Sequence, residues 1–356
     1  MPISAVDAIS PAFRHAKQQL LQPFRIGQWA RLALVGLLAG ELSSGGGCSS
    51  NFQIPQHSGG NRLLAAGIPG VDPSLYVGLI ALLVVIGVVL SILFIYANSV
   101  MRFVLFDSVV ERKCHIRHGW NRRAGVGFRY FGWQLLLFFG SVAGLVTLVG
   151  IPAAIALAMG WLKQANQHLL PLILGGIVLF FLLLAFFVCF LVVVVMSKDF
   201  VVPQMALEGI SAFEGWRRLL AMLKQEKLGY AGYLAMKIVM ALGAAVAVGI
   251  VTGIVALILL IPVGGLGVIA VLGGKAAGLT WNLYTITLAV VAGSVIVMTL
   301  LYLFSLISVP AIVFFPAYSI YFFAARYQPL ALALYPAPPA APAEPPQLPP
   351  EPQPIT

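Results

Sequence analysis

"RFVLFDSVVE" at residues 102–111 and "DFVVPQMALE" at residues 199–208 lie 97 positions apart, with Phe103 on Phe200, Val104 on Val201 and Glu111 on Glu208. After a one-residue gap, Gly119-Trp120 in "HGWNRR" (118–123) falls on Gly215-Trp216 in "EGWRR" (214–218). "YFGW" (130–133) then matches "YAGY" (230–233), with Trp133 on Tyr233, and "GIP" (150–152) matches "LIP" (260–262). Matches kept in order along the chain mark a duplicated unit. "ISPAF" (9–13) resembles "ISAF" (210–213), and "SVPAIVFFPAYS" (308–319) resembles the "DFVVPQMA" segment. The chain therefore reads as three units of roughly 100 residues each.

Composition says where such units live. Hydrophobic residues make up 60% of the 356 and charged residues only 9%. A soluble domain carries about 25% charged residues, so this chain could not cover a water-facing surface. Uncharged windows run between Asp72 and Arg102, Arg129 and Lys163, Lys163 and Lys198, Lys237 and Lys275, and Lys275 and Arg326. Each exceeds the roughly 20 apolar residues a helix needs to cross a bilayer. None alternates strictly, which argues against a β-barrel. A shorter segment at 26–42 contains Arg31 and ends near Glu41.

The expected fold is all-α: a polytopic helical membrane bundle, six transmembrane helices from three repeated hairpins with cytoplasmic interfacial amphipathic helices. Residues 1–25 form an amphipathic N-terminal segment, and 26–325 the six-span membrane domain. The spans fall near 26–42, 75–97, 131–151, 171–196, 234–260 and 282–305, and the interfacial helices near 115–129, 211–226 and 311–325. Pro310 and Pro316 are expected to break the last apolar window. No cleavable signal is expected, because about 25 fairly polar residues precede the first apolar segment. With six spans, all of the 21 Lys and Arg residues except Arg62, Lys163 and Lys275 fall on one side. The positive-inside rule makes that side cytoplasmic, with both termini there, in the plasma (inner) membrane.

The amphipathic helices carry the candidate contacts. Ser211 and Glu214 make an S-x-x-E capping box, and Phe213, Trp216, Leu220 and Leu223 follow at helical spacing. Ile116, Trp120, Ala124, Phe128 and Phe131 form the stripe of the preceding copy. At the N-terminus Ser10 is the expected cap, Pro11 the first helical residue, and Phe13, Ala16, Leu20 and Phe24 the apolar face. Such helices lie in the headgroup region, apolar face down. Arg117, Arg122, Arg123, Arg217 and Arg218 are therefore candidate contacts to anionic lipid headgroups, and Trp29, Trp120, Trp133, Trp216 and Tyr233 candidate interfacial anchors.

"FVLFDSVVE", "DFVVPQMALE…GWRRLL", six spans and "FFPAYSIYF" together resemble a poorly characterised family of six-helix bacterial membrane proteins. That family is similar to the membrane domain of glycerophosphoryl diester phosphodiesterases. The resemblance covers roughly residues 9–325. It implies a helical bundle and a lipid-related role, and it supplies no active-site residues. The soluble phosphodiesterase barrel has no counterpart here, so its hydrolysis does not carry over.

Catalytic and metal chemistry finds little footing. Cys48, Cys114 and Cys189 sit in three different contexts, without disulfide or zinc spacing. Cys114 and His118 could share a helix face, but Arg112, Lys113 and Arg117 would repel a cation. "GGLGVIA" (264–270) echoes a dinucleotide fingerprint without the strand that should precede it; glycines that break or closely pack an outward-facing turn explain it better. Spans 2 to 6 have no ionisable residue in their cores, which disfavours ion-coupled transport. Asp107 should cap a helix or pair with a nearby arginine. Residues 336–356, rich in proline, read as a disordered tail in polyproline II conformations, with a proline-recognising protein as its candidate partner. Neither cofactor nor nucleic acid is expected. The function that fits is a non-enzymatic membrane protein that binds or organises lipids or assists their movement. The alternative is a transporter or channel for an apolar or small neutral solute.

Overall fold

The computed structural model describes residues 3–22, 24–41, 73–161, 168–276, 278 and 283–335. Cys48, Arg62, Lys163 and the tail at 336–356 lie outside the described residues. The helices in chain order are α1 (Ile9–Leu21), α2 (Ile26–Leu38), α3 (Pro73–Val110), α4 (Ile116–Ala158) and α5 (Leu169–Met196). A π-helical turn, Ser197–Val201, links α5 to α6 (Val202–Glu208). Then come α7 (Ala212–Gln225), α8 (Lys227–Ala276), α9 (Leu283–Ala324) and α10 (Gln328–Leu334). Among the described residues there is no strand.

Among the described residues, five rods are long and apolar enough to cross a membrane: α3, α4, α5 continued through α6, α8 and α9. They run up and down. Along α3 from Asp107 back to Ser99, the partners on α4 advance from Arg123 to Gln134. The same antiparallel order joins α8 to α9, from Glu226–Arg326 to Tyr233–Tyr318.

Packing is concentrated at the charge-bearing ends of these rods. Phe103, Tyr130, Phe200, Tyr230, Tyr233, Tyr318 and Phe322 are fully buried there. The most apolar windows of α3, α4, α5 and α8 contain no buried residue. A Cβ added at Gly150, Gly175, Gly249 or Gly253 in these shafts would meet no atom of another helix within 4 Å. In hydrocarbon this division is expected. An oily side chain gains little by leaving lipid for another helix, whereas charges and backbone breaks must find partners inside the protein.

The repeat has a three-dimensional counterpart. Phe103 meets Tyr130 edge-on at 5.7 Å, and Phe200 meets Tyr230 edge-on at 5.3 Å. Gly119 and Gly215 admit Val104 and Val201, which would stand 3.2 and 2.8 Å from an added Cβ. Arg122 pairs with Glu111 and Arg218 with Glu208. The two arginine pairs are thus offset by one residue: Arg122 matches Arg218, while Arg123 matches Leu219.

Several local expectations need correction. The segments at 115–129 and 311–325 are not separate interfacial helices, because α4 and α9 run through them unbroken. Pro310 and Pro316 lie inside α9. Pro310 cannot donate to the carbonyl of Leu306, and the indole N–H of Trp29 takes that donor's place at 2.9 Å. The helix survives because a neighbour re-satisfies the freed group. "GGLGVIA" likewise lies within α8, where Gly264, Gly265 and Gly267 neither break the helix nor pack closely.

The stripes shift as well. The buried face of α4 is Gly119, Arg123, Gly127 and Tyr130, and Phe128 is exposed. The buried face of α7 is Ala212, Gly215 and Leu219, and Phe213 and Leu220 are exposed. Ser211 does cap α7, accepting the N–H of Glu214 at 3.3 Å. Ser10 caps nothing; α1 begins at Ile9 after Ala8, with a turn in which Ser4 accepts the N–H of Asp7.

The buried face of α1 includes His15 and Gln19, and Phe13 and Phe24 are exposed. Those polar side chains have a task. The last carbonyls of a helix lack intrahelical donors, and α3 ends at Val110. His15 donates from Nε2 to the carbonyl of Val109 at 2.9 Å, and Gln19 from Nε2 to that of Ser108 at 2.8 Å. The N-terminal helix is therefore a lid on the end of α3.

The described part of the segment at 26–42 forms a helix shorter than the expected span. α2 has 13 residues, about 20 Å at ~1.5 Å per residue, against a hydrocarbon core of about 30 Å. Gln28, near its start, bonds the carbonyl of Arg112, and Glu41, just past its end, pairs with Lys198. Both contacts lie in the charge-bearing half of the molecule.

Candidate functional site: a buried charge layer and the crevice above it

The layer forms where the rods come together. Pro203 removes one backbone donor, and its ring would crowd the carbonyl of Asp199, four residues back. The widened turn at Ser197–Val201 relieves that conflict, and such π turns recur at functional sites. Here it brings Lys198 and Asp199 inward. The amino group of Lys198 pairs with Glu41. Asp199 accepts from Lys237 and, at 3.0 Å, from the hydroxyl of Tyr233. Ser197 holds the turn: its hydroxyl accepts the indole N–H groups of Trp133 (3.2 Å) and Trp216 (3.0 Å) and donates to the carbonyl of Val193 (2.8 Å).

Arg102 on α3 completes the layer. Its Nε donates to the carbonyl of Ala39 at 3.3 Å and its Nη1 to the hydroxyl of Tyr130 at 3.1 Å. Among the described residues, no carboxylate lies within ion-pair distance of it. Among the described residues, the layer sums to three cations, Arg102, Lys198 and Lys237, against two anions, Glu41 and Asp199. Arg102 carries the excess.

Two spaces adjoin Arg102. The space inside the layer, bounded by Glu41, Lys198, Asp199 and Pro316, is about 30 Å³. That is room for about one or two waters, each of which needs roughly 10–15 Å³, and is small for a headgroup. On its other side a crevice of about 330 Å³ opens between α3, α4 and α5. Its floor is polar: Asn98, Arg102, Tyr130, Gln134 and Ser197. Its walls are Phe94, Leu137, Phe138, Phe190 and Val194. Leu137 and Phe190 also line an apolar groove of about 630 Å³ that continues between α4 and α5.

The arginines singled out from sequence have separate fates. Arg123 is buried, bonded twice to Asp107 at 2.7 Å and once to the carbonyl of Ala206. It is a strut between α3, α4 and α6, and Asp107 is linked to an arginine as expected. Arg122, Arg217 and Arg218 remain at the surface, paired with Glu111, with Glu214, and with Glu208 and Glu214. Arg117 is exposed and, among the described residues, forms no ion pair. Outside the long rods, Arg326 holds Glu226 below the usual carboxylate range.

Of the expected anchors, Tyr233 is fully buried and belongs to the charge layer. Trp29, Trp133 and Trp216 are half-buried and give their N–H groups to protein acceptors. Trp120 is half-buried against Tyr96 at 5.9 Å. Cys114 precedes α4 rather than sharing a helix face with His118. Among the described residues, no three His, Cys, Asp or Glu side chains gather as a metal site.

Sequence reasoning missed the layer because Lys198, Asp199 and Lys237 looked like loop charges. One signal was present: the same alignment that pairs Phe103 with Phe200 sets Arg102 on Asp199, opposite charges at one repeat position.

Fold and site together define a helical protein with several helices long and apolar enough to span a membrane, gathered around a charged neck. The chain belongs to a family of unknown function, DUF7544, whose model matches residues 3–333. No curated protein and no solved structure matches it.

Proposed function

We propose that the chain is an integral protein of the plasma (inner) membrane, non-enzymatic, that binds and organises lipids around its apolar shafts. The observation that carries this reading is the open flanks of those shafts beside a packed, charged neck. Lipid is the chemistry that fills such flanks. The likeness of the basic-loop motifs to the membrane domain of glycerophosphoryl diester phosphodiesterases belongs to this proposal and supports a lipid-related role.

Six crossings with both termini cytoplasmic also belong to it. Helix α1 and the end of α9 meet at the charge-bearing end, where His15 faces Tyr321 at 3.1 Å. Five crossings would leave them on opposite sides. Surface arginines at that end, Arg117 foremost, then face anionic headgroups, each worth about 1 kcal/mol near the leaflet.

Two measurements test the reading. An impermeant thiol reagent on intact cells, with the three native cysteines replaced, should label Lys275→Cys and spare Arg217→Cys; the reverse pattern overturns the orientation. Native mass spectrometry from mild detergent should show lipid retained on the full chain; protein that carries none overturns lipid binding.

A further inference from the structure

We infer that the crevice between α3, α4 and α5 is a site for one anionic phospholipid, with its phosphate against Arg102 and an acyl chain along the α4–α5 groove. This rests on the lipid-binding reading above and specifies its headgroup and place.

The repeat shows what Arg102 lacks. In the later unit the residue at its position is Asp199, answered by Lys237 seven residues after Tyr230. In the earlier unit the place seven residues after Tyr130 is Leu137. The counter-charge is missing there, and Leu137 lines the crevice instead. Glu41 and Asp199 are each taken by a lysine. A guanidinium has five N–H donors, and only two hydrogen bonds from Arg102 go to described residues. Its Nη2 makes no hydrogen bond to a described residue, and Arg102 lines the crevice.

The shape selects an amphiphile. Asn98 and Gln134 beside Arg102 each spend one amide N–H on a described residue, on the Leu38 carbonyl and on Asn98 Oδ1, and their second N–H groups lie at one end of the crevice only. From there, Leu137 and Phe190 lead into the groove past Gly140, Ala143 and Phe186, toward the shafts. With the charge-bearing end cytoplasmic, that is the orientation of an inner-leaflet lipid, headgroup inward and chains toward the bilayer centre. A charge-assisted bond to phosphate neutralises the excess cation where an ionic group otherwise costs most.

The test is native mass spectrometry of the full chain in mild detergent, titrated with phosphatidylglycerol, phosphatidylcholine of matched acyl chains, and oleate. One phosphatidylglycerol should be retained per chain, about tenfold more tightly than phosphatidylcholine, whose choline brings a second cation beside the guanidinium. Arg102→Gln, which can still bond Tyr130, should lose that preference. Leu137→Glu should lose it too by supplying an internal carboxylate, while Leu137→Gln keeps it. The Leu137 pair carries the test if Arg102→Gln does not fold. Equal retention of the two phospholipids, retention of oleate in their place, or an unchanged preference in Leu137→Glu overturns the assignment and leaves general lipid binding standing. A chain that retains no lipid removes both.

Discussion

The guanidinium of Arg123 grips the carboxylate of Asp107 through two N–H···O bonds of 2.7 Å and sends a third to the carbonyl of Ala206. Side-chain exposure is 9% for the arginine and 14% for the aspartate. Removing one partner of such a pair strands a buried charge, at a cost of about 3–5 kcal/mol. Arg123→Ala should therefore lower thermal stability in detergent by that order. Arg217, with 80% of its side chain exposed, should tolerate alanine within about 0.5 kcal/mol. Similar losses in the two variants would show that Arg123 is not a strut.

Gln204 stands at the position that Asp107 holds one unit earlier, and Leu219 at that of Arg123. Gln204 is fully buried and donates to the carbonyl of Phe200, but its Oε1 has no partner among the described residues. An unsatisfied buried acceptor costs about 1–3 kcal/mol. Gln204→Met, of similar shape, should leave stability unchanged or raise it. A drop beyond about 1 kcal/mol would mean that Oε1 is bonded in the membrane.

Helices α3 and α4 pack closely at Gly127, where an added Cβ would stand 2.6 Å from the Cγ2 of Val100 and 3.0 Å from its Cα. One of those atoms is backbone, so a rotamer change cannot clear the way. Gly127→Ala should destabilise by about 1–3 kcal/mol through overpacking. Val100→Ala should recover part of it, because the nearer clash is with the valine side chain. A double variant no more stable than Gly127→Ala would place the strain in the backbone alone.

Helix α1 should undock in mild acid. His15 donates from Nε2 to Val109, so its neutral Nδ1 accepts from the Tyr321 hydroxyl at 3.1 Å. Burial, and then the nearby charge of Arg112, lower its pKa below the ordinary 6.5. The undocked chain then binds the proton more readily than the docked one. Docking is strongest above about pH 6.5 and weakens as pH falls toward the lowered value. Hydrogen exchange across Ile9–Leu21 should accelerate between about pH 7.5 and 5.5, once corrected for intrinsic rates, and His15→Gln should abolish that dependence. Equal protection across the range would count against the lid.

The repeat alignment named most of the residues that form the neck without showing what they do there. Gly119, Gly215, Phe103 and Phe200 were placed in register by sequence, and their contacts repeat in the structure. The amphipathic stripes were misjudged by about one residue. A simple apolar count favours Phe128 and Phe213, whereas close packing favours small residues such as Gly127 and Ala212, which let helices approach. Arg123 looked like its arginine neighbours. Only the carboxylate 16 positions earlier in the chain distinguishes it.

Composition, charge asymmetry and the order of the repeat are carried by the linear chain, because helix formation and burial in hydrocarbon depend on short runs of side chains. They determined the all-helical build, the long apolar rods and the end on which the charges gather. The route of α2, the continuity of α9 through its prolines and the charge layer were decided only by tertiary structure. Glu41 meets Lys198 across 157 positions, and nothing local to either residue predicts that meeting. A charge withdrawn from water is compatible with the fold only beside its partner, and the packing of distant helices chooses that partner.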